Sequence, residues 1–181
     1  MGTVVRPTNT LLIDCYVDAD FAGLYNRDPH SSSTSAKSRL GYIISLGGVP
    51  LVWRSQLQSE ISLVTQESKY SLLSQLLRTV LPLRQLLIEV TNALGLQAAL
   101  RATIHARVFE DNNGAYLLAM NQRITRRTKY YLVKWHHFWD AVKRGDIEVK
   151  KIGTLEQRAD YLTKGLAREA FERIRKLNQG W

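Results

Sequence analysis

The stretch "LGYIISLGGVPLVWRS", Leu40 to Ser55, reads as two short strands joined at Gly47-Gly48. A two-residue hairpin turn needs positive φ at its centre, and a glycine doublet supplies it without steric cost. Upstream, "NTLLIDCYVDADFAG" alternates, with Leu11, Ile13, Cys15 and Val17 on one face and Asp14, Tyr16 and Asp18 on the other, which makes a first strand. A polar loop, "DFAGLYNRDPHSSSTSAKSR", connects it to the hairpin. Downstream the period changes from two to helical. From Gln66 onward Leu72, Leu73, Leu76, Leu77, Val80, Leu83, Leu86, Leu87 and Val90 follow the i, i+3, i+4 rule, and Pro82 is expected to kink or divide the helix.

The remaining chain alternates. "ATIHARVFED" is a fourth strand, "NNGAYLLAMNQ" a short helix starting beside Asp111, and "RTKYYLVKWHHFWDAVKRG" a third helix. That third helix has Tyr131, Trp135, Phe138 and Val142 on one stripe and Gly145 as its stop. "DIEVKKIG" is a fifth strand. "TLEQRADYLTKGL" has Thr154 followed three residues later by Gln157, the spacing of a capping box, and leads into a basic helix, "REAFERIRKLN". A three-strand antiparallel meander followed by alternating units predicts an α/β fold: a mixed five-stranded sheet flanked by helices.

With 181 residues, 45% hydrophobic and 23% charged, the chain is expected to form one domain over 1–181, with 1–10 as a flexible lead-in. Cys15 is the only cysteine, so an internal disulfide is excluded, and no apolar run approaches the roughly 20 residues that cross a bilayer. The opening "MGTVVRPTNT" lacks the apolar core of a secretory signal, and its glycine is weak evidence for myristoylation. An intracellular monomer, cytoplasmic or nuclear, is expected. The formal net charge of +9 favours a polyanionic partner, nucleic acid being the commonest.

Three acids lie where strands end or helices begin: Asp18, Asp111 and Asp160. Converging carboxylates suit hard Mg²⁺, and paired ions clamp both oxygens of a phosphodiester displacement, whereas singly each aspartate reads more readily as a solvated or capping residue. The segments "VDADFAG", "SRLGYIISLGGVPLVWRSQLQSEISLVTQESKY", "LPLRQLL", "FEDNNGA", "RTKYY", "KWHHF", "KRGDIEV", "LEQRADYLTKGL" and "NQGW" together resemble the ribonuclease H domain that ends the polyprotein of copia-type LTR retrotransposons. The resemblance implies a ribonuclease H-like fold and four acids holding two Mg²⁺ ions that direct water onto the RNA strand of an RNA-DNA hybrid. Asp18, Asp111 and Asp160 fall on the first, third and fourth of those acids.

The second family acid, the later glutamate of a T-E-A-E-Y motif, aligns with Lys69, and the earlier one with Glu67. Residues two apart on a helix point roughly 200° away from each other. Glu67 shares its side with Ser71, Ser74 and Arg78, whereas Lys69 leads into Leu72, Leu73 and Leu76, the face that packs on the sheet. A lysine in place of a glutamate shifts the local charge by two units and repels Mg²⁺, so weak or absent two-metal binding is expected. The alternative is that Lys69 snorkels to solvent while the three aspartates still hold one ion.

The family's usual histidine after R-T-K is Tyr130 here, and the Ser-Thr pair of its T-E-A-E region is Val64 and Thr65. The basic segment "NQRITRRTKYYLVKWHHF" interleaves Arg123, Arg126, Arg127 and Lys129 with aromatics; these four are candidates for phosphate contact. Adjacent His136 and His137 do not have chelating spacing, and one is expected to pack while the other is wet. Two functions remain open. One is a catalytically impaired, retrotransposon-derived domain, decayed or retained for another task, that binds nucleic acid or a protein. The other is an Mg²⁺-dependent hybrid ribonuclease using Asp18, Asp111 and Asp160, with Glu67 or Glu60 brought in by a shift.

Overall fold

The structure, a computed structural model, describes residues 11–23, 36–62, 65–95, 104–120 and 129–180; the side chains of residues 66, 118 and 129–135 are outside the description. The expected lead-in 1–10, most of the serine-rich loop, and Arg123, Arg126 and Arg127 fall outside the described residues, as do the side chains of Lys129, Tyr131 and Trp135.

Strands β1 (Ile13–Asp20), β2 (Arg39–Leu46) and β3 (Val49–Leu57) form the antiparallel meander, and β4 (Ala106–Glu110) and β5 (Ile147–Lys151) add parallel to β1 in the order β3-β2-β1-β4-β5. The hairpin turns at Gly47 and Gly48, whose φ angles of 56° and 83° are both positive. Pro50 lies in β3, the sheet edge, where its missing N–H breaks no ladder within the sheet.

Helix α1 (Thr65–Ala93) packs across β1 and β2. Leu72, Leu73, Leu76, Leu77 and Val80 are each no more than 1% exposed, and each is worth up to about 1.5–3 kcal/mol on burial. Toward the C-terminus Leu86 and Val90, expected in the apolar stripe, are exposed, while Leu83, Leu87 and Ile88 still pack against the core. The helix is also not divided at Pro82. Arg78 and Pro82 are both exposed, so the carbonyl that loses its partner lies on the side open to water.

Helices α2 (Asn113–Met120), α3 (Lys129–Lys143) and α4 (Arg168–Gln179) complete the fold. The Asn112 side chain accepts from the Ala115 N–H at 2.9 Å and caps α2. Gly145, at φ 73°, ends α3 with paired bonds from the Gly145 N–H to Val142 and from the Asp146 N–H to Ala141. Phe138 and Trp139 are buried against α1, whereas His136 and His137 are both exposed; neither packs into the core, although His136 meets the Trp139 ring edge-on at 5.9 Å.

The segment from Thr154, whose capping-box spacing pointed to a helix start, is instead two short 3-10 turns, Thr154–Glu156 and Asp160–Leu162. The capping box does not form. Gly153 precedes the first turn with no side-chain cap, and Gln157 turns inward: its amide donates to the carbonyls of Val17 at 2.9 Å and Phe109 at 3.4 Å. The β1–β4 register ends at Tyr16 and Phe109, so one buried glutamine side chain takes over where the backbone ladder stops.

Candidate active site at the strand ends

The C-terminal ends of β1 and β4 and the second 3-10 turn bring Asp18, Asp111 and Asp160 together, with one carboxylate oxygen of each within 4.8 Å of the others. Gly41 makes this approach possible. It sits opposite Asp18 in β2, and a Cβ there would lie 2.7 Å from Thr163 Cγ2 and 2.9 Å from Leu162 Cβ. Without a side chain at 41, the turn carrying Asp160 lies directly on the sheet. Thr163 Oγ1 then donates a short hydrogen bond to Asp18 Oδ2.

Lys69 enters the same space from α1. It is 4% exposed and does not snorkel; its Nζ lies 2.6 Å from Glu110 Oε1, 3.1 Å from Asp111 Oδ1 and 3.6 Å from Asp18 Oδ1. Burial alone would pull the Lys69 ammonium down, but the carboxylates of Glu110, Asp111 and Asp18 outweigh it and hold the group above the ordinary lysine value. A second cation, Lys164, lies 3.0 Å from Asp160 Oδ1 and 3.7 Å from Asp18 Oδ2. Burial lowers it too, and Asp18 and Asp160 again more than compensate. The two ammonium groups therefore share Asp18, one bridging it to Asp111 and the other to Asp160.

Sequence reasoning missed Glu110 and Lys164. In β4, Ala106 and Val108 are buried, so strand alternation puts Glu110 on their face, where an acid requires a partner. Glu110 is 1% exposed; besides Lys69 it accepts the Asn112 N–H at 2.9 Å, and among the described residues its Oε2 has no hydrogen-bond partner. Burial pushes its carboxyl up to about 7, against the pull of Lys69 and the Asn112 N–H. Lys164 stands four residues after Asp160, a spacing at which a turn brings opposite charges together. Burial, then repulsion from Asp18, pushes Asp160 up to about 6 despite Lys164.

Three aspartates are a suitable donor set for one small hard cation. They fit a pair of divalent ions poorly here, because Lys69 and Lys164 already meet both oxygens of Asp18 and one oxygen each of Asp111 and Asp160. Glu60 and Glu67 do not join the cluster; they line a separate polar groove with Gln58, Ser71, Ser74 and Arg78. Mg²⁺ would have to be held by Asp18, Asp111 and Asp160 alone, beside two cations.

No family model matches the chain. It is 30% identical over 171 residues to the retrovirus-related Pol polyprotein from transposon RE1 of Arabidopsis thaliana and 31% identical over 171 residues to that from transposon RE2, each alignment covering 94% of the chain. The corresponding polyprotein from transposon TNT 1-94 of Nicotiana tabacum is 32% identical over 90% of the chain. The chain spans 11% of the length of each of these relatives. Among solved structures, LC11-RNase H1, isolated from compost, superposes with a TM-score of 0.53 at 16% identity, covering 91% of this chain and 98% of that one. The N-terminal ribonuclease H domain of a Mycobacterium tuberculosis protein gives 0.50 at 10% identity, with 92% and 98% covered. The chain is a relative of the Pol polyproteins of copia-type plant transposons, folded as a ribonuclease H-like domain.

Proposed function

We propose that this chain is a ribonuclease H-like domain in which an internal ion-pair cluster has replaced the catalytic metal centre, and that it serves as a nucleic-acid-binding module. The observation that carries this reading is Lys69, buried with its Nζ 3.1 Å from Asp111 and 2.6 Å from Glu110. An ion that displaced it would have to expel an ammonium held by three carboxylates. The formal net charge of +9 supports a polyanionic partner, and the similar LC11-RNase H1 has been solved in complex with an RNA/DNA hybrid. Arg123, Arg126, Arg127 and Lys129 are proposed phosphate contacts.

The test is incubation of the purified protein with a labelled RNA-DNA hybrid in Mg²⁺ or Mn²⁺, alongside Asp111→Asn. The expected result is hybrid binding at low salt without cleavage. The approach of Asp18, Asp111 and Asp160 within 4.8 Å favours a second reading, cleavage assisted by one ion. Cleavage abolished by Asp111→Asn would establish that reading and refute the first. Undetectable hybrid binding at low salt would direct the search to a protein partner.

A further inference from the structure

Next to the carboxylate cluster, a cleft of about 300 Å³ opens between the β2–β3 edge and residues 161–165. It admits a phosphate group with its waters but not a folded segment of chain. Its cations are Lys37, Arg39 and Lys164, and Asp20 is the one acid among its lining residues. Neither Lys37 nor Arg39 is paired with a carboxylate among the described residues. Arg39 is held in place: its Nη1 donates to Ser55 Oγ at 3.3 Å, and Ser55 Oγ in turn donates to the Leu162 carbonyl at 2.6 Å. These two hydrogen bonds tie the sheet edge to the loop that carries Lys164.

We infer that this cleft is a metal-independent site for a nucleic-acid phosphodiester, with Lys37, Arg39 and Lys164 as its cations. The inference rests on the reading that the domain binds nucleic acid and specifies how. An anion cannot approach a cluster of bare carboxylates unless cations intervene. Here the cations are resident, because Lys69 neutralises the deep side of the cluster and Lys164, its side chain 35% exposed, neutralises the side facing the cleft. The same lysines that crowd out a divalent ion thus remove the need for one in binding.

The test measures binding of a short fluorescein-labelled RNA-DNA hybrid by anisotropy, in EDTA and in Mg²⁺, across a salt series. Affinity is expected to be the same in both. Lys37→Ser/Arg39→Ser should weaken it about tenfold and flatten the dependence of log K on log salt by about one unit for each phosphate left without its cation. Lys143→Ser is the control, since α3 ends at the opposite pole of the sheet. Circular dichroism of the double variant establishes that it is folded. Loss of binding in EDTA, or a double variant that binds like the parent, overturns the inference while leaving nucleic-acid binding intact. No binding under any condition overturns both, and cleavage in Mg²⁺ with binding preserved in EDTA overturns only the non-catalytic reading.

Discussion

Replacing Lys69 by methionine tests the cluster directly, because the volume is nearly conserved and only the charge is lost. The ammonium is shared by Glu110 at 2.6 Å, Asp111 at 3.1 Å and Asp18 at 3.6 Å, and the side chains of Lys69 and Glu110 are 5% and 1% exposed, so water cannot substitute for it. Removing one partner of such a buried arrangement costs about 3–5 kcal/mol. That is a large part of the ~5–15 kcal/mol that holds an ordinary domain together. At roughly 2–4 °C per kcal/mol for a chain of this size, the midpoint of thermal unfolding should fall by about 6–20 °C. Circular dichroism melts at about pH 8, where the Glu110 carboxyl is mostly ionised, read this out. Mg²⁺ adds a second signature. With the Lys69 ammonium gone, Asp18 Oδ1 and Asp111 Oδ1 are open to the ion, so the midpoint of the variant should rise with Mg²⁺ concentration while that of the parent stays fixed. A variant as stable as the parent, or a parent stabilised by Mg²⁺, would refute the ion-replacement argument.

Two further predictions concern pH and packing. Glu110 and Asp160 are both raised, to about 7 and about 6, so the folded state holds protons that the unfolded chain has released; stability therefore falls as pH rises from about 4.5 to 7. The Glu110 shift corresponds to about 3 kcal/mol across that window, and urea unfolding at about pH 5 and pH 8 should show a shallower loss in Glu110→Gln; equal slopes would sink the assignment. Gly41→Ala should destabilise by about 1–3 kcal/mol, because its Cβ meets Thr163 and Leu162 below 3.0 Å; unchanged urea midpoints would show that the turn bearing Asp160 gives way freely.

Much of this was legible in the sequence, where one period governed a whole element. The Gly47-Gly48 doublet marked the hairpin, and helical register alone turned Lys69 inward and Glu67 outward. Reading failed where one pattern has two physical outcomes. Thr154 and Gln157 have capping-box spacing, but a glutamine three residues into a turn serves equally well to reach the open end of a ladder, and only the neighbouring carbonyls of Val17 and Phe109 decide. That α1 is not divided at Pro82 follows from the exposure of the orphaned carbonyl, which is a tertiary property. Glu110 was missed for a different reason: Asp111, beside it, drew the chemistry, while the alternation that puts an acid on the core face of β4 was already in the sequence.

The pairing of Lys69 with Glu110 also makes each depend on the other. Lys69→Glu alone would press a new carboxylate against Glu110, which is buried and has no other cation among the described residues to share. A change of charge at one of the two positions therefore needs a compensating change at the other. The two side chains thus behave as one unit: a change of charge on either is felt by both.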